Sequence, residues 1–380
     1  MMTTREYKNT GDQISLLGFG CMRLPKIDPE KSDIDKEKAQ EMIDYAYAHG
    51  VNYYDTAYPY HEGKSELFIG EALKKYPRES FHLVSKNPVW LVEKPEDAVN
   101  FLHEQLKKCQ TEYFDFYLCH ALNHDRLEMI KKHHIFESLQ KEKEAGRIKH
   151  LGFSFHGTIE MLEEIVNAYD WDFAQIQLNY YDWDMQNAKR EYEILTEHGL
   201  PVVIMEPVRG GALNTLCPQG IEMLKKADPN ATPASWALRF AASLPNVLTV
   251  LSGMTAMEHV KDNVATMDDF KPLTDAEREL LFQVAEVYKQ SKTVPCTGCR
   301  YCMDCPAGVD IPAVFKIYNN YAVTENKAQF LADYEALGES KQAHNCVACR
   351  KCCSQCPQSI EIPERMKEIE ALAKKLQRLI

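Results

Sequence analysis

Short apolar runs alternate with longer amphipathic stretches between Ile14 and Ser252. The apolar runs are rich in β-branched and aromatic residues and have the length of strands. The stretches between them repeat apolar residues every three or four positions, which is typical of helices that pack by one face. The pattern predicts eight strands, at ISLLGFGCM, NYYDTA, FHLVSK, FDFYLCH, HLGFSF, FAQIQL, PVVIME and VLTVLS.

Helices are predicted between these strands, and six stand out: KEKAQEMIDYAYAHG, SELFIGEALKKY, EDAVNFLHEQLKKC, IFESLQKEKEAG, IEMLEEIVNAY and REYEILTEHG. Ser65 is predicted to cap the second of them, and Glu66 to lie on its solvated face. Eight strands, each followed by a helix, indicate an α/β protein with a (β/α)8 TIM barrel, whose reactive side chains lie just after the C-terminal ends of the strands. A doubly wound open sheet is the competing fold, but LGFGCM lacks the glycine-rich turn that such a sheet needs.

The character of the chain changes at Val294, after one more predicted helix. The segment CTGCRYCMDCPAGVDIPAVFKI recurs, about fifty residues later, as CVACRKCCSQCPQSIEIPERMKEI, and the sequence between the two copies reads mainly as helix. Two related halves imply a small symmetric module. We therefore expect a barrel domain over residues 1–285 and a small, mainly helical domain over residues 286–380.

Composition and charge indicate which kinds of molecule the protein can bind. The chain has 380 residues with a formal net charge of -12 and a pI near 5.6, which argues against nucleic acid and anionic membranes because both need a basic surface. No signal peptide and no apolar run of about 20 residues is visible. These features favour a soluble, cytoplasmic protein that acts on small molecules.

Thirteen cysteines are present, nine of them between Cys296 and Cys356. In a reducing compartment such a concentration favours bound metal over disulfides. The second copy of the repeat matches the C-x2-C-x2-C-x3-C-P run of iron-sulfur proteins in full, and the first copy has only two residues before its last cysteine. The candidate ligands are Cys296, Cys299, Cys302 and Cys305 in the first run, and Cys346, Cys349, Cys352 and Cys356 in the second.

A pair of structural zinc sites is the alternative, but zinc explains neither the triple runs nor the prolines that follow them. The segment resembles the two-cluster bacterial ferredoxins, in particular the helical variant fused to larger oxidoreductases. That resemblance implies two [4Fe-4S] clusters in which the fourth cysteine of each run serves the other cluster. Cys356 would then join the first three cysteines of the first run, and Cys305 those of the second.

Four side chains with complementary chemistry follow successive strands of the barrel. Asp55 and Tyr60 lie in DTAYPY, Lys86 in SKNP and His120 in LCH, so all four should meet at the barrel mouth. A tyrosine hydroxyl can protonate a carbonyl oxygen if a cation stabilises its phenolate. Lys86 would be that cation, Asp55 would orient it, and His120 would orient the substrate.

This constellation resembles the Asp, Tyr, Lys, His tetrad of the aldo-keto reductase family, and the resemblance spans about Ile14 to Phe270. It implies a bound NADP(H) or NAD(H). Phe155 stands where relatives have the asparagine of the Ser-Asn pair that holds the carboxamide. His259 stands where an arginine that binds the 2'-phosphate is common, which leaves the choice between NADPH and NADH open. The residues that the resemblance assigns to the dinucleotide are Ser154, Gln175, Met205, Pro207, Arg209, Gly210, Gly211, Gly253 and Asn263.

The combination predicts an NAD(P)H-dependent oxidoreductase that interconverts a carbonyl and an alcohol. A hydride carries two electrons and each cluster accepts one, and no flavin site is visible, so the clusters serve either electron transfer, with an external partner, or structure. A redox-sensing or electron-transfer adaptor whose barrel binds a nucleotide with little turnover is the alternative, and a zinc-stabilised reductase is a third. Trp90 and Trp183 lie on loops that would either line the substrate pocket or pack locally.

Overall fold

The structure, a computed structural model, describes residues 1–8, 10–28 and 31–378. The described chain divides into two compact units. Among these described residues, the first unit comprises those within 1–207 and 235–274, and the second comprises those within 208–234 and 275–378. The second unit therefore includes a segment that lies, in the sequence, among the predicted barrel elements.

The first unit contains ten strands within the described residues: β1 Thr4–Glu6, β2 Gln13–Ser15, β3 Leu17–Gly20, β4 Tyr53–Asp55, β5 His82–Asn87, β6 Phe114–Leu122, β7 Ile148–Phe155, β8 Ala174–Gln177, β9 Val202–Met205 and β10 Val247–Gly253. Its helices are α1 Lys36–Ala48, α2 Lys64–Leu73, α3 Pro95–Lys108, α4 His124–Lys132, α5 Ile135–Glu144, α6 Ile159–Ala168, α7 Asp182–Met185, α8 Ala188–Glu197, α10 Pro233–Ala242 and α11 Met257–Met267. The second unit contains α9 Pro218–Ala227, α12 Asp275–Lys289, α13 Ile311–Thr324, α14 Lys327–Ala336 and α15 Ile362–Gln377.

Strands β3 to β10 are parallel and close into a barrel, with β10 pairing β3. The eight strands correspond to the eight predicted ones, so the predicted TIM barrel is confirmed. Because all eight run in the same direction, their C-terminal ends share one rim of the barrel, and the side chains that follow them are brought together there.

The first predicted strand differs from the observed one. A continuous strand was expected from Ile14 to Met22, but the chain forms the antiparallel hairpin of β1 and β2 and then begins the barrel at Leu17. The Ser15 hydroxyl donates to the carbonyl of Leu17 at 2.7 Å, and Ser15 N donates to the Asn52 side chain at 2.8 Å. These local polar bonds compete with the sheet ladder and separate the two strands.

The hairpin carries Tyr7 against the aromatic interior of the barrel. The Tyr7 ring lies 5.4 Å from that of Phe116 and 4.2 Å from that of His150, and its hydroxyl donates to the Asp172 carbonyl at 3.0 Å. The interior is thus a packed core rather than a pore. Its buried residues are Tyr7, Ile14, Tyr53, Val84, Phe116, Leu118, Phe173, Val203, Leu248 and Leu251.

The second unit has a small apolar core of its own. Helices α13, α14 and α15 supply Val314, Phe330 and Met366 to this core, all nearly inaccessible to solvent. Most of the cysteines of the two runs pack against it. The helical C-terminal domain predicted from the repeat is confirmed. Within the described residues, none of the helices has the length and apolar character required to span a bilayer.

Candidate active site and cysteine sites

Three of the four predicted catalytic side chains are in direct contact. Asp55 ends β4, Lys86 lies one residue before the end of β5, and Tyr60 lies on the loop between β4 and α2. The Lys86 ammonium donates to Asp55 Oδ1 at 2.7 Å, to the Thr56 carbonyl at 2.7 Å and to the Tyr60 hydroxyl at 3.3 Å. Lys86 is fully buried, so this charge is neutralised by one carboxylate inside the protein.

His120, the fourth predicted catalytic side chain, contacts the Tyr60 ring with its imidazole ring. It lies in β6, and its ring centroid is 6.2 Å from that of Tyr60, edge to face. The Trp90 ring lies 5.3 Å from the His120 ring, and the Arg126 guanidinium lies 4.8 Å from the Trp90 ring. Trp90 therefore borders the site, whereas Trp183 packs against Phe240 at 5.5 Å.

Burial controls the protonation of these groups. It raises the pKa of Tyr60 well above 10, and the nearby Asp55 carboxylate raises it further. Burial also lowers the pKa of His120 well below 6.5, and Lys86 adds to the effect. The sequence predicts that Tyr60 donates its proton and that Lys86 stabilises the phenolate left behind, and a hydroxyl kept protonated by desolvation is compatible with that role. Tyr60 is consequently a hydroxyl and His120 a neutral imidazole around neutral pH.

A buried polar network lies behind Lys86. The Gln105 amide donates to Glu66 Oε1 at 2.5 Å, to the Ser85 hydroxyl at 2.9 Å and to the Lys86 carbonyl at 3.0 Å, and its oxygen accepts from the Tyr117 hydroxyl at 2.5 Å. The prediction that Glu66 lies on a solvated face is wrong, because Glu66 is fully buried. Burial raises the pKa of Glu66, against the hydrogen bonds from Ser85 and Gln105 that lower it.

Glu66 lies in the first turn of α2, and this turn also contacts the loop that carries Tyr60. The predicted Ser65 cap is wrong, because α2 begins after Gly63 without a side-chain cap. Ser65 instead shares a hydrogen bond with the Thr56 hydroxyl at 2.8 Å and donates to the Cys21 carbonyl at 3.2 Å. The first turn of α2 thus connects the Tyr60 loop to the strand of Lys86.

The residues assigned to the dinucleotide in the first unit lie on four neighbouring strands and one helix: Ser154 in β7, Gln175 in β8, Met205 at the end of β9, Gly253 at the end of β10 and Asn263 in α11. Ser154 Oγ accepts from the Ala121 amide at 2.7 Å, and Gln175 Nε2 lies 3.5 Å from Met205 Sδ. Asn263 Nδ2 donates to the Ser252 hydroxyl at 2.8 Å, beside Gly253. Gln175 Oε1 and His120 Nδ1 are buried and have no hydrogen-bond partner among the described residues.

An ion pair that the sequence analysis missed lies near Tyr60. Arg23 follows β3, Glu206 follows β9, and their side chains approach within 3.2 Å. The Glu206 carboxylate raises the pKa of Tyr60 and Arg23 lowers it, both less than burial does. Their position at strand ends was the signal available in the sequence, because charged residues there share the rim with the tetrad.

The remaining predicted dinucleotide residues, Arg209, Gly210 and Gly211, lie in the second unit, and Pro207 ends the adjoining part of the first. Arg209–Asn214 form a tight helical turn in which Arg209, Gly210 and Gly211 have φ angles of 53°, 64° and 95°. The Arg209 side chain is buried.

Four cysteines from both runs surround one concavity. Cys296, Cys299, Cys302 and Cys356 line it, together with apolar residues that include Ile311 and Phe315. Burial, followed by the proximity of the other three thiols, raises the pKa of Cys302. These four cysteines are the set that the crossed pattern requires, so the chemistry of the donor set fits an iron-sulfur cluster here. We call this set the first cysteine site.

The second run is more exposed. Cys349 is open to solvent, and burial together with the neighbouring thiols of Cys353 and Cys346 raises the pKa of Cys352 to about 12. Cys305 packs against the same small core, and its membership of this second cysteine site stays a prediction. Among the described residues, no group of three or more Cys, His, Asp or Glu side chains has the arrangement required to hold a metal ion.

Comparison with known protein families finds a match for the barrel and another for the cysteine-rich segment. The aldo/keto reductase family matches residues 16–286, most of the chain. The chain belongs to this family. A 4Fe-4S dicluster domain matches residues 295–361 of this aldo/keto reductase.

Individual relatives of this aldo/keto reductase are distant. A probable aldo-keto reductase from Glycine max is 30% identical over 154 residues, which are 38% of this chain and 42% of that protein. The NADH-specific methylglyoxal reductase of Escherichia coli K12 is 23% identical over 322 residues, covering 73% of this chain and 96% of that protein. A crystal structure of an aldo-keto reductase from Klebsiella pneumoniae in complex with NADPH is 22% identical, with a TM-score of 0.58 over 76% of this chain and 95% of that one.

Proposed function

We propose that this aldo/keto reductase interconverts a small carbonyl compound and its alcohol with a nicotinamide dinucleotide as hydride carrier. The observation that carries the proposal is the fully buried Lys86, whose ammonium donates to both Asp55 and the Tyr60 hydroxyl. A protein rarely buries a charge without a functional or structural reason, and here the charge lies beside a tyrosine hydroxyl, a proton donor of the kind that carbonyl reduction needs.

The roles of the four side chains follow from their protonation. Tyr60, held as a hydroxyl by burial, donates its proton to the carbonyl oxygen during reduction. Lys86 stabilises the negative charge that this transfer leaves on the tyrosine oxygen, and Asp55 holds Lys86 in place. His120, a neutral imidazole, hydrogen-bonds the carbonyl oxygen and orients the substrate. When bound, the dinucleotide supplies or accepts the hydride.

Gln175 Oε1 is buried and accepts no hydrogen bond from the part of the chain that the structure describes. This supports a dinucleotide site, because a buried amide oxygen normally has a donor. We assign Ser154 and Gln175 to the carboxamide and Met205 to the face of the ring. Pro207, Arg209, Gly210 and Gly211 would follow the pyrophosphate, and Gly253 and Asn263 the adenosine phosphate. The relatives differ in their dinucleotide, since the Escherichia coli protein is NADH-specific and the Klebsiella structure holds NADPH, so the proposal covers both.

We further propose that residues 1–285 carry the carbonyl chemistry and residues 286–380 hold two [4Fe-4S] clusters. The first cysteine site would bind one cluster, and Cys346, Cys349, Cys352 and Cys305 the other. The grouping of Cys302 with three thiols, one of them from the second run, supports the crossed pattern. A cluster supplies one-electron chemistry when bound, and an external electron carrier remains part of the proposal.

Replacing Tyr60 by Phe tests the enzymatic proposal. Oxidation of NADPH or NADH is followed with a panel of aldehydes and ketones, and dinucleotide binding is measured separately by equilibrium dialysis. We expect kcat/KM to fall by about 100-fold or more and the dinucleotide Kd to stay within about twofold. Tyr58→Phe is the control, since Tyr58 lies on the same loop and its hydroxyl faces Glu104 at 3.4 Å. Undiminished turnover in Tyr60→Phe would contradict the tetrad and favour the adaptor.

A further inference from the structure

The segment that follows β9 packs with the cysteine module rather than with the barrel elements around it in the sequence. Residues 208–234 belong to the second compact unit. Helix α9 of this segment packs against α12. Gly220 of α9 lies so close to α12 that a methyl group added to it would be 3.5 Å from the Val284 side chain. The turn Arg209–Asn214, which begins four residues after β9 ends, therefore belongs to the unit that holds the cysteines.

Gly210 is the point of closest approach. A Cβ placed on Gly210 would lie 2.1 Å from the Thr297 carbonyl oxygen and 2.7 Å from its carbonyl carbon. Gly210 also has φ 64°, so both its backbone angle and its surroundings require glycine. The two backbones therefore approach so closely that no side chain fits between them.

Thr297 lies between two candidate cluster ligands, Cys296 and Cys299. It is itself buried and lines the concavity of the first cysteine site. The next residue, Gly298, donates its amide to Cys296 Sγ at 3.4 Å. The backbone that touches Gly210 is thus the backbone that wraps the proposed cluster.

We propose that the first cysteine site, when it holds its cluster, organises the Arg209–Asn214 turn, and that cluster content thereby governs the affinity of the enzyme for its dinucleotide. This inference rests on the proposed function, which assigns Arg209, Gly210 and Gly211 to the dinucleotide. It gives the cluster a structural task that needs neither a flavin nor a one-electron step.

The physical reason is pre-organisation. Four thiolates bound to one cluster tie the 296–302 loop to Cys356, which fixes the Thr297 backbone. Without the cluster these ties are absent, and the Thr297 backbone supports Gly210 less firmly. A turn with three successive left-handed residues must then be ordered when the dinucleotide binds, and the entropy lost in ordering it reduces the binding free energy. Linkage then requires that the dinucleotide protects the cluster to the same extent.

The first test compares two cluster-ligand variants in the full chain, purified without oxygen. Cys356→Ser removes a ligand of the first cysteine site, and Cys349→Ser removes one from the second, as the matched control. Iron and sulfide are quantified, and NADP+ and NAD+ binding is measured by equilibrium dialysis. We expect Cys356→Ser to weaken dinucleotide binding at least tenfold and Cys349→Ser to leave it within about twofold. Equal affinities in the two variants overturn the proposal.

The second test leaves every cysteine in place, so it remains decisive even if Cys356→Ser fails to fold. Gly210→Ala introduces the clash with Thr297, whereas Gly211→Ala has a similar backbone requirement, φ 95°, but its added methyl meets nothing within 4 Å. Release of iron to a chelator is timed in both. We expect Gly210→Ala to lose iron at least fivefold faster than Gly211→Ala, and saturating NADP+ to slow iron loss from the unmodified protein. Equal rates in the two variants, or no protection by a bound dinucleotide, refute the coupling.

Failure of the coupling and failure of the proposed function give different results. If the unmodified holoprotein binds neither NADP+ nor NAD+, the proposed function is wrong. If it binds one of them and Cys356→Ser binds it equally well, the function stands and the cluster has no part in organising the turn.

Discussion

Replacing Lys86 by Met removes a charge from the interior and leaves its partner behind. The Lys86 ammonium makes three hydrogen bonds, to Asp55, Thr56 and Tyr60, and is fully buried. Methionine has a similar length and no charge. The variant therefore keeps the volume of the side chain and strands the Asp55 carboxylate, whose second oxygen, Oδ2, already has no hydrogen-bond partner among the described residues.

The expected loss of stability follows from this geometry. Breaking a buried ion pair by removing one partner costs about 3–5 kcal/mol. For a unit of this size, about 2–4 °C of melting temperature corresponds to each kcal/mol, so the barrel should melt roughly 6–20 °C lower at pH 8. The double variant Asp55→Asn with Lys86→Met has no stranded charge and should recover much of the loss.

The loss should depend on pH with a definite sign. Burial raises the pKa of Asp55 even in the presence of Lys86, which lowers it, so without Lys86 the pKa rises further. A carboxyl group whose pKa is higher in the folded state than in the unfolded state, where it is near 4, binds its proton more tightly when the protein is folded. Its contribution to stability is therefore complete below about pH 4 and is lost as the pH rises through the pKa of the folded state. Lys86→Met should therefore lose up to about 1.4 kcal/mol of stability per pH unit within that window.

Tryptophan fluorescence isolates the unit in question. All four tryptophans, Trp90, Trp171, Trp183 and Trp236, lie in the barrel unit, so melting curves recorded between pH 5 and 8 report on the barrel alone. The measured quantity is the difference in melting temperature between Lys86→Met and the double variant. A loss below about 1 kcal/mol at pH 8, or the same pH slope in both variants, would show that Lys86 and Asp55 are not a desolvated pair.

Three further predictions concern the surroundings of the tetrad. Because Glu206 raises the pKa of Tyr60, Glu206→Gln should move the alkaline limit of carbonyl reduction, where the hydroxyl loses its proton, to lower pH; a pH profile of kcat that stays in place would contradict this. Gln105→Leu removes the donor to Glu66 and the acceptor of the Tyr117 hydroxyl. It should therefore lower kcat more than it changes KM and destabilise the barrel by about 2–5 kcal/mol; an unchanged melting curve would contradict the network. Gly152→Ala places a methyl 2.5 Å from the carbonyl oxygen of Phe173, the residue before β8, and should cost about 1–3 kcal/mol by overpacking, measured as a lower melting temperature; full stability would show that the backbone of Phe173 can move away there.

The barrel and the approximate place of the tetrad could be predicted because they depend on local pattern. Apolar spacing distinguishes strands from helices, and strand direction then places every residue that follows a strand on one rim. Asp55, Lys86 and His120 follow from that rule alone. The spacing of the cysteines is similarly local, and it indicates an iron-sulfur module without knowledge of the fold.

Other features depend on which surfaces meet. Glu66 looks solvated in the sequence because its helix carries charges on several sides, and only the packing of α2 against β5 and α3 buries it. Arg23 and Glu206 are 183 positions apart, so no short-range pattern links them. The break between β2 and β3 arises from side-chain bonds of Ser15 that apolar spacing does not record.

The sequence by itself determined the order and type of the elements, the residues at the strand ends and the spacing of the cysteines, because these depend on neighbours along the chain. Only the tertiary structure decided the protonation of Tyr60 and His120, because desolvation depends on everything that packs around a group. It also decided that the turn containing Gly210 packs with the cysteine module. That contact joins residues 87 positions apart in the chain, and close packing rather than sequence order brings such residues together.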